Sequence, residues 1–230
     1  MGVVAELILI RHGQSASNVA FPRANAAGLV ESGLTGRDTD VELTGLGVRQ
    51  AQAVGRWLAA LPADLVPQVA ITSPYLRARE TWRIAAETSG LELPPPRTDD
   101  RLVDRLLGDL EMLTEAAIRE RFPDEPGRHR EAGDFRYRPP NGETFSDIAV
   151  RLESFLADLN TTWAGRRVVV VAHDSVVLMM RAVIEHLDLD AVAAINQAGS
   201  VPNASITRFD GSSGELVLDR YTSVDHLSEV

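Results

Sequence analysis

The sequence predicts an α/β fold: a three-layer sandwich with a mainly parallel central sheet flanked by helices. Two observations predict it. Short unbroken apolar runs at residues 7–10, 69–71 and 168–172 have the composition of strands buried on both faces. Segments with helical periodicity lie between them, and strands alternating with helices imply parallel pairing.

The elements follow in order. Leu7-Ile8-Leu9-Ile10 is the first strand, followed by a loop rich in Gly, Ser and Asn. Over residues 44–61, Val48, Ala51, Val54, Trp57 and Leu58 share one helical face. Val69-Ala70-Ile71 is the second strand. Pro74 suits the first turn of a helix that runs to about Ser89 and stops at Gly90. Pro94-Pro95-Pro96 is a stiff connector. Residues 99–142 are polar, arginine-rich and weakly periodic, and are assigned to a small cap inserted in a single domain spanning 1–230. Residues 145–163 form an amphipathic helix, 168–172 the strongest buried strand, and 176–187 a further helix. Two strands, 206–209 and 216–218, are joined through the hairpin turn Asp210-Gly211-Ser212-Ser213-Gly214. No internal repeat is present.

Composition narrows the function. A chain of 230 residues with 44% hydrophobic and 24% charged residues is an ordinary globular protein with a sizeable core. The net charge of −10 repels polyanions, so neither nucleic acid nor an anionic membrane is an expected partner. A small anion needs only a local cluster of positive groups. There is no cysteine, which excludes disulfides, thiolate metal sites and thiol nucleophiles. There is no lysine either, so Schiff-base chemistry and a phosphate-binding P-loop lysine are excluded. No run is apolar for long enough to span a bilayer. The apolar start lacks a preceding positive region and a cleavage-like site, and Glu6 stands where myristoylation wants Ser or Thr. The expected location is cytoplasmic. No oligomeric state is assigned.

In open α/β sheets, ligands bind beyond the carboxyl ends of the strands. The residues there are Arg11-His12-Gly13, Thr72-Ser73-Pro74 and His173-Asp174-Ser175. Arg77 follows one turn into the next helix. Two histidines and two arginines gathered at one sheet edge suit a phosphate, whose oxygens accept charge-assisted hydrogen bonds. The plainer alternative is that each arginine pairs with a surface acid.

These residues lie within stretches that resemble the histidine phosphatase superfamily, which includes cofactor-dependent phosphoglycerate mutases and small-molecule phosphatases. Leu9-Ile10-Arg11-His12-Gly13-Gln14-Ser15-Ala16-Ser17-Asn18 is similar to its opening signature. Ser73-Pro74-Tyr75-Leu76-Arg77-Ala78-Arg79-Glu80-Thr81 is similar to its second block. Pro140-Asn141-Gly142-Glu143-Thr144, Val171-Ala172-His173 and Pro202-Asn203-Ala204-Ser205 resemble later blocks, all in family order.

The resemblance implies roles. His12 attacks phosphorus and becomes a phosphohistidine. Arg11, Arg77 and His173 bind the non-bridging oxygens, and Asn18 supplies a further donor. The arginines do the work of a metal, and no metal or cofactor is implied. The family's proton-donating Glu has Asp104 in its place, in Leu102-Val103-Asp104, with Glu111 as the rival acid. An ordinary Asp titrates near 3.9, so Asp104 must be raised by apolar neighbours or by the bound phosphate. Asp174 departs from the family's usual Gly and is expected to point away from the pocket. Gln14, where Glu is usual, receives no role.

Three functions follow. The first is metal-independent hydrolysis of a small phosphorylated metabolite. The second is a mutase. Its characteristic Gly-Leu-Asn is missing from residues 107–114, which favours the hydrolase. The third is a non-catalytic phospholigand-binding module. Arg128, His129, Arg130, Arg136 and Arg138 either contact a second anionic group or form a solvated face balanced by Glu131 and Asp134.

Overall fold

The computed structural model describes residues 2–228 and 230. Among them, six strands form one sheet: β1 (Glu6–Arg11), β2 (Val69–Thr72), β3 (Arg97–Thr98), β4 (Arg167–Ala172), β5 (Ile206–Asp210) and β6 (Val217–Ser223). Their order is β3-β2-β4-β1-β5-β6. The first four strands of that order run parallel; β5 is antiparallel to β1, and β6 to β5.

The helices are α1 (Ala16–Ala26), α2 (Gly45–Ala59), α3 (Leu76–Ser89), α4 (Glu115–Arg121), α5 (Glu125–Ala132), α6 (Phe145–Trp163), α7 (Asp174–Ile184) and α8 (Leu189–Ala198). On one face of the sheet, Ile8, Ile10, Val169 and Val171 pack with Val54 and Leu58 of α2 and Trp82 of α3. On the other, Leu7, Leu9, Val168 and Val170 pack with Leu152 and Phe155 of α6 and Val176 of α7. Successive strand residues thus enter opposite cores, which is why β1 and β4 read as unbroken apolar runs. The observed architecture is the expected three-layer α/β sandwich.

Local chemistry sets the helix starts. Thr44, Thr114, Thr144 and Asp188 each accept a backbone N–H of the first turn of α2, α4, α6 and α8. Each such cap is worth about 1 kcal/mol.

Several elements differ from expectation. The loop after β1 contains α1, whose only buried residue is Ala24 and which carries Pro22 internally, so it has no apolar stripe to read. It starts where the Ser15 backbone N–H donates to Asn18 Oδ1 at 3.0 Å. The helix after β2 begins at Leu76, two residues beyond Pro74, because Tyr75 stays extended as its cap, with its backbone N–H donating to the Ser73 hydroxyl at 3.3 Å. The α7 helix begins at Asp174, directly after its cap His173, and ends at Ile184, with His186 in a left-handed conformation, φ 55°. Residues 99–142 contain the short helices α4 and α5. The strand expected at 216–218 is β6, which extends to Ser223. No helix among the described residues is long and apolar enough to cross a membrane.

Candidate active site

The carboxyl ends of β1, β2 and β4 lie side by side, with β4 in the middle. Arg11 is level with Ala172, and Thr72 with Val171. The residues that follow therefore meet: the His12 and His173 ring centroids are 5.2 Å apart. The His12 backbone N–H donates to Ala172 O at 2.9 Å, which ties the two turns together.

His12 is buried, and its Nδ1 lies 2.7 Å from Gly13 O. A carbonyl only accepts, so Nδ1 carries the proton and Nε2 the lone pair. Arg77 Nε donates to that Nε2 at 3.3 Å. Burial, then His173, Arg77 and Arg11, hold the imidazole well below its ordinary range, so it is neutral. The turn is rigid because two backbones touch. A Cβ on Gly13 would stand 2.5 Å from Gly47 O, and one on Gly47 2.0 Å from Gln14 O. Gln14 has a role after all: its Oε1 accepts the Thr44 hydroxyl at 2.8 Å, at the cap of α2.

Arg77, in the first turn of α3, is buried and fully engaged. Its Nη1 and Nη2 donate to the two carboxylate oxygens of Asp38 at 3.0 and 3.1 Å, a bidentate pair. Nη2 also donates to Asp104 Oδ2 at 3.2 Å. Asp38 lies in the loop between α1 and α2, and sequence reasoning did not single it out.

Asp104 faces the same cluster. Its Oδ1 accepts the Ser175 hydroxyl at 2.7 Å and the Arg105 backbone N–H at 2.8 Å; its Oδ2 lies 3.3 Å from His173 Nδ1. Burial pushes the carboxyl up, but His173, Arg77 and the two hydrogen bonds outweigh it and hold the group well below the usual carboxylate range. The backbone around it is pinned by Arg151, which donates to Asp104 O and Arg101 O and pairs with Glu143. Gly108 belongs to the same turn: a Cβ there would be 2.1 Å from Pro140 O. The Gly142-Glu143-Thr144 block thus holds the Asp104 loop.

His173 is fully buried. Burial takes its imidazole down to about 3, with Asp104 opposing. Its Nε2 is 2.8 Å from the Ser73 hydroxyl, and Tyr75 lies edge-on with ring centroids 5.0 Å apart.

Arg11 donates to Val201 O at 2.5 Å and approaches Asp174 at 3.4 Å, while its buried Nε has no partner. Asp174 therefore turns toward the pocket, contrary to expectation, because it is the first residue of α7 and its side chain reaches Arg11. Asn18 Oδ1 accepts Ser15 N–H, the Ser15 hydroxyl and Asn203 Nδ2, which leaves its own Nδ2 as the free donor at the cavity. Asn203 also donates to His12 O at 3.2 Å.

All six residues expected from sequence, Arg11, His12, Asn18, Arg77, Asp104 and His173, are brought together. All but the fully buried His173 line one cavity of about 810 Å³. Glu111, the rival acid, is an exposed side chain that also lines the cavity. Of the arginine-rich cap set, only His129 reaches the cavity. Arg128, Arg136 and Arg138 pair elsewhere with Glu125, Asp190 and Asp147 rather than with Glu131 or Asp134. Among the described residues no cluster of three or more His, Asp or Glu side chains is arranged to hold a metal ion.

The model of the histidine phosphatase superfamily, branch 1, matches residues 7–224. A 2,3-bisphosphoglycerate-dependent phosphoglycerate mutase of Gloeobacter violaceus is 29% identical over 222 residues, 94% of this chain and 92% of that one. Another of that name, from Methylobacterium radiotolerans, is 35% identical over 185 residues, 79% of this chain and 78% of the relative. A solved mycobacterial glucosyl-3-phosphoglycerate phosphatase in complex with VO3 superposes with a TM-score of 0.71 at 28% identity, over 96% of this chain and 100% of that one.

Proposed function

We propose that this chain, which belongs to the histidine phosphatase superfamily, hydrolyses a phosphomonoester through a phosphohistidine on His12. One observation carries the reading: a neutral, buried imidazole, its proton fixed on Nδ1, presents Nε2 beside Arg77 in a cavity also lined by Arg11, Asn18 and Asp104.

His12 Nε2 attacks phosphorus while the bond to the alcohol oxygen breaks. Arg11, Arg77, Asn18 and the His173 side of the cluster receive the phosphoryl oxygens. Asp104 is ionised in the free site. When phosphoryl oxygens take the Arg77 Nη2 donor from Asp104 and bring negative charge beside it, the carboxyl is raised and takes up a proton. It gives that proton to the leaving alkoxide. Water then attacks the phosphohistidine, Asp104 takes the water's proton, and inorganic phosphate leaves.

The curated relatives named as mutases favour a second reading, return of the phosphoryl group to a phosphoglycerate. The absence of Gly-Leu-Asn at residues 107–114 favours hydrolysis. The test is phosphate release from p-nitrophenyl phosphate and from 3-phosphoglycerate, with isomer formation followed in parallel. The hydrolase reading expects free phosphate, unaffected by EDTA and inhibited by vanadate. Isomer without free phosphate would establish the mutase, and loss with EDTA restored by a divalent metal would overturn the arginine-based chemistry.

A further inference from the structure

Resting on the hydrolase reading, we propose that the natural substrate is the phosphate ester of a bulky, largely apolar alcohol that bears no negative charge of its own.

The cavity is far larger than a phosphoryl group. At about 810 Å³ it lies within the range of roughly 300–1,000 Å³ typical of sites that enclose a whole organic ligand. Its phosphoryl end is polar. The remainder is mixed: Phe21, Leu107, Met112, Phe135, Phe145 and Val201 supply apolar surface beside the polar Asn25, Glu111, His129, Asp134 and Asn196. The apolar side chains come from α1, the Asp104 loop, the α5–α6 connection, α6 and the segment before β5. Apolar surface from five separate segments therefore faces the space into which the alcohol projects.

The charges exclude a second anion. Five acids line the cavity, Asp38, Asp104, Glu111, Asp134 and Asp174, against three arginines, Arg11, Arg77 and Arg105, a formal 3 − 5 = −2 with histidines counted neutral. Arg11 and Arg77 serve the phosphoryl group. Arg105 is fixed to the wall: it donates to Glu143 O at 3.0 Å and Tyr137 O at 2.7 Å, and its guanidinium lies 4.7 Å over the Phe145 ring. Of the cap arginines that a carboxylate or second phosphate would need, Arg128, Arg136 and Arg138 are paired outside the cavity and Arg130 does not line it. Asp134 is already paired with His129 at 2.9 Å, so an alcohol bearing a carboxylate would meet Glu111 with no arginine released to receive it. Like charges on substrate and wall disfavour binding.

Benzylic esters test this with matched leaving groups: benzyl phosphate, naphthylmethyl phosphate, para-carbamoylbenzyl phosphate and para-carboxybenzyl phosphate. The expected order of kcat/KM puts naphthylmethyl about tenfold above benzyl, from the extra apolar area buried. It puts the amide at least about tenfold above the nearly isosteric carboxylate. In Glu111→Gln, the ratio of amide to carboxylate should fall about fivefold. A carboxylate ester turned over as well as the amide, or a naphthylmethyl ester no better than benzyl, would overturn the inference while leaving the hydrolase reading intact. No phosphate from any of these esters, nor from p-nitrophenyl phosphate, would overturn both.

Discussion

Arg77 Nε points at the lone pair of His12 Nε2 across 3.3 Å, so under the proposed mechanism the guanidinium that holds the phosphoryl group also marks the nitrogen that attacks it. The phosphate trapped by rapid quench should therefore be acid-labile and sit on Nε2 of His12. His12→Gln should lose about 10³-fold or more in turnover. Peptide mass spectrometry that found the phosphate on Ser15 or Ser17 would sink the mechanism.

Asp104→Asn should slow hydrolysis of esters with poor leaving groups by about 10²–10⁴ and barely affect p-nitrophenyl phosphate, whose phenolate needs no proton. Loss confined to Glu111→Gln would move the role to Glu111. Equal losses with both leaving groups would mean that Asp104 positions Arg77 without donating a proton.

Asp38 occupies both Nη donors of Arg77, the pair a phosphate would use. It competes with the ligand. Asp38→Asn weakens that charged pair, so the inhibition constant for inorganic phosphate should fall about fivefold. A rise would mean that Asp38 instead braces Arg77 for binding.

Stability should fall on mild acidification. Burial, with the neighbouring arginines, keeps His12 neutral and takes His173 down to about 3, whereas unfolded imidazoles titrate near 6.5. Between those values the unfolded chain binds protons that the folded chain does not. Stability is therefore greatest above pH 6.5 and declines as pH falls toward 3, by about 1.4 kcal/mol per pH unit for His173, with His12 acting in the same direction. Urea unfolding at pH 7 and 5 should show the decline, and His173→Gln should shrink it by up to about 2 kcal/mol. A pH-independent midpoint would contradict the buried neutral pair.

Gly13→Ala places a Cβ against Gly47 O at 2.5 Å, with backbone on both sides and nothing flexible to yield. It should cost about 1–3 kcal/mol, read as a lower Tm. Gly199→Ala, whose Cβ meets nothing within 4 Å, is the control and should change little.

How far the site was legible depended on whether its residues sat beside strong strands. His12, His173 and Arg77 follow unbroken apolar runs, so the sheet rule located them. Asp38 follows nothing periodic and meets Arg77, 39 residues away, only through the path of a polar loop. Asn203 reaches His12 across 191 residues. The late block resembles the family, but no local pattern assigns its side chain a partner. The direction in which Asp174 points depended on the first residue of α7, and sequence periodicity locates helix ends poorly. Helix α1 was hidden because it buries almost nothing.

The place of β1 in the sheet has a consequence for how the protein is made. Of the six strands described it is the first in chain order, yet its two neighbours, β4 and β5, come fourth and fifth. At about 5–20 residues per second, an apolar strand with both edges open waits on the order of 10–40 s for them. Until then His12 lacks the neighbours that complete the cluster around it, and the open strand edges need protection from aggregation. The cluster closes only once Asn203, 191 residues further on, has returned to it.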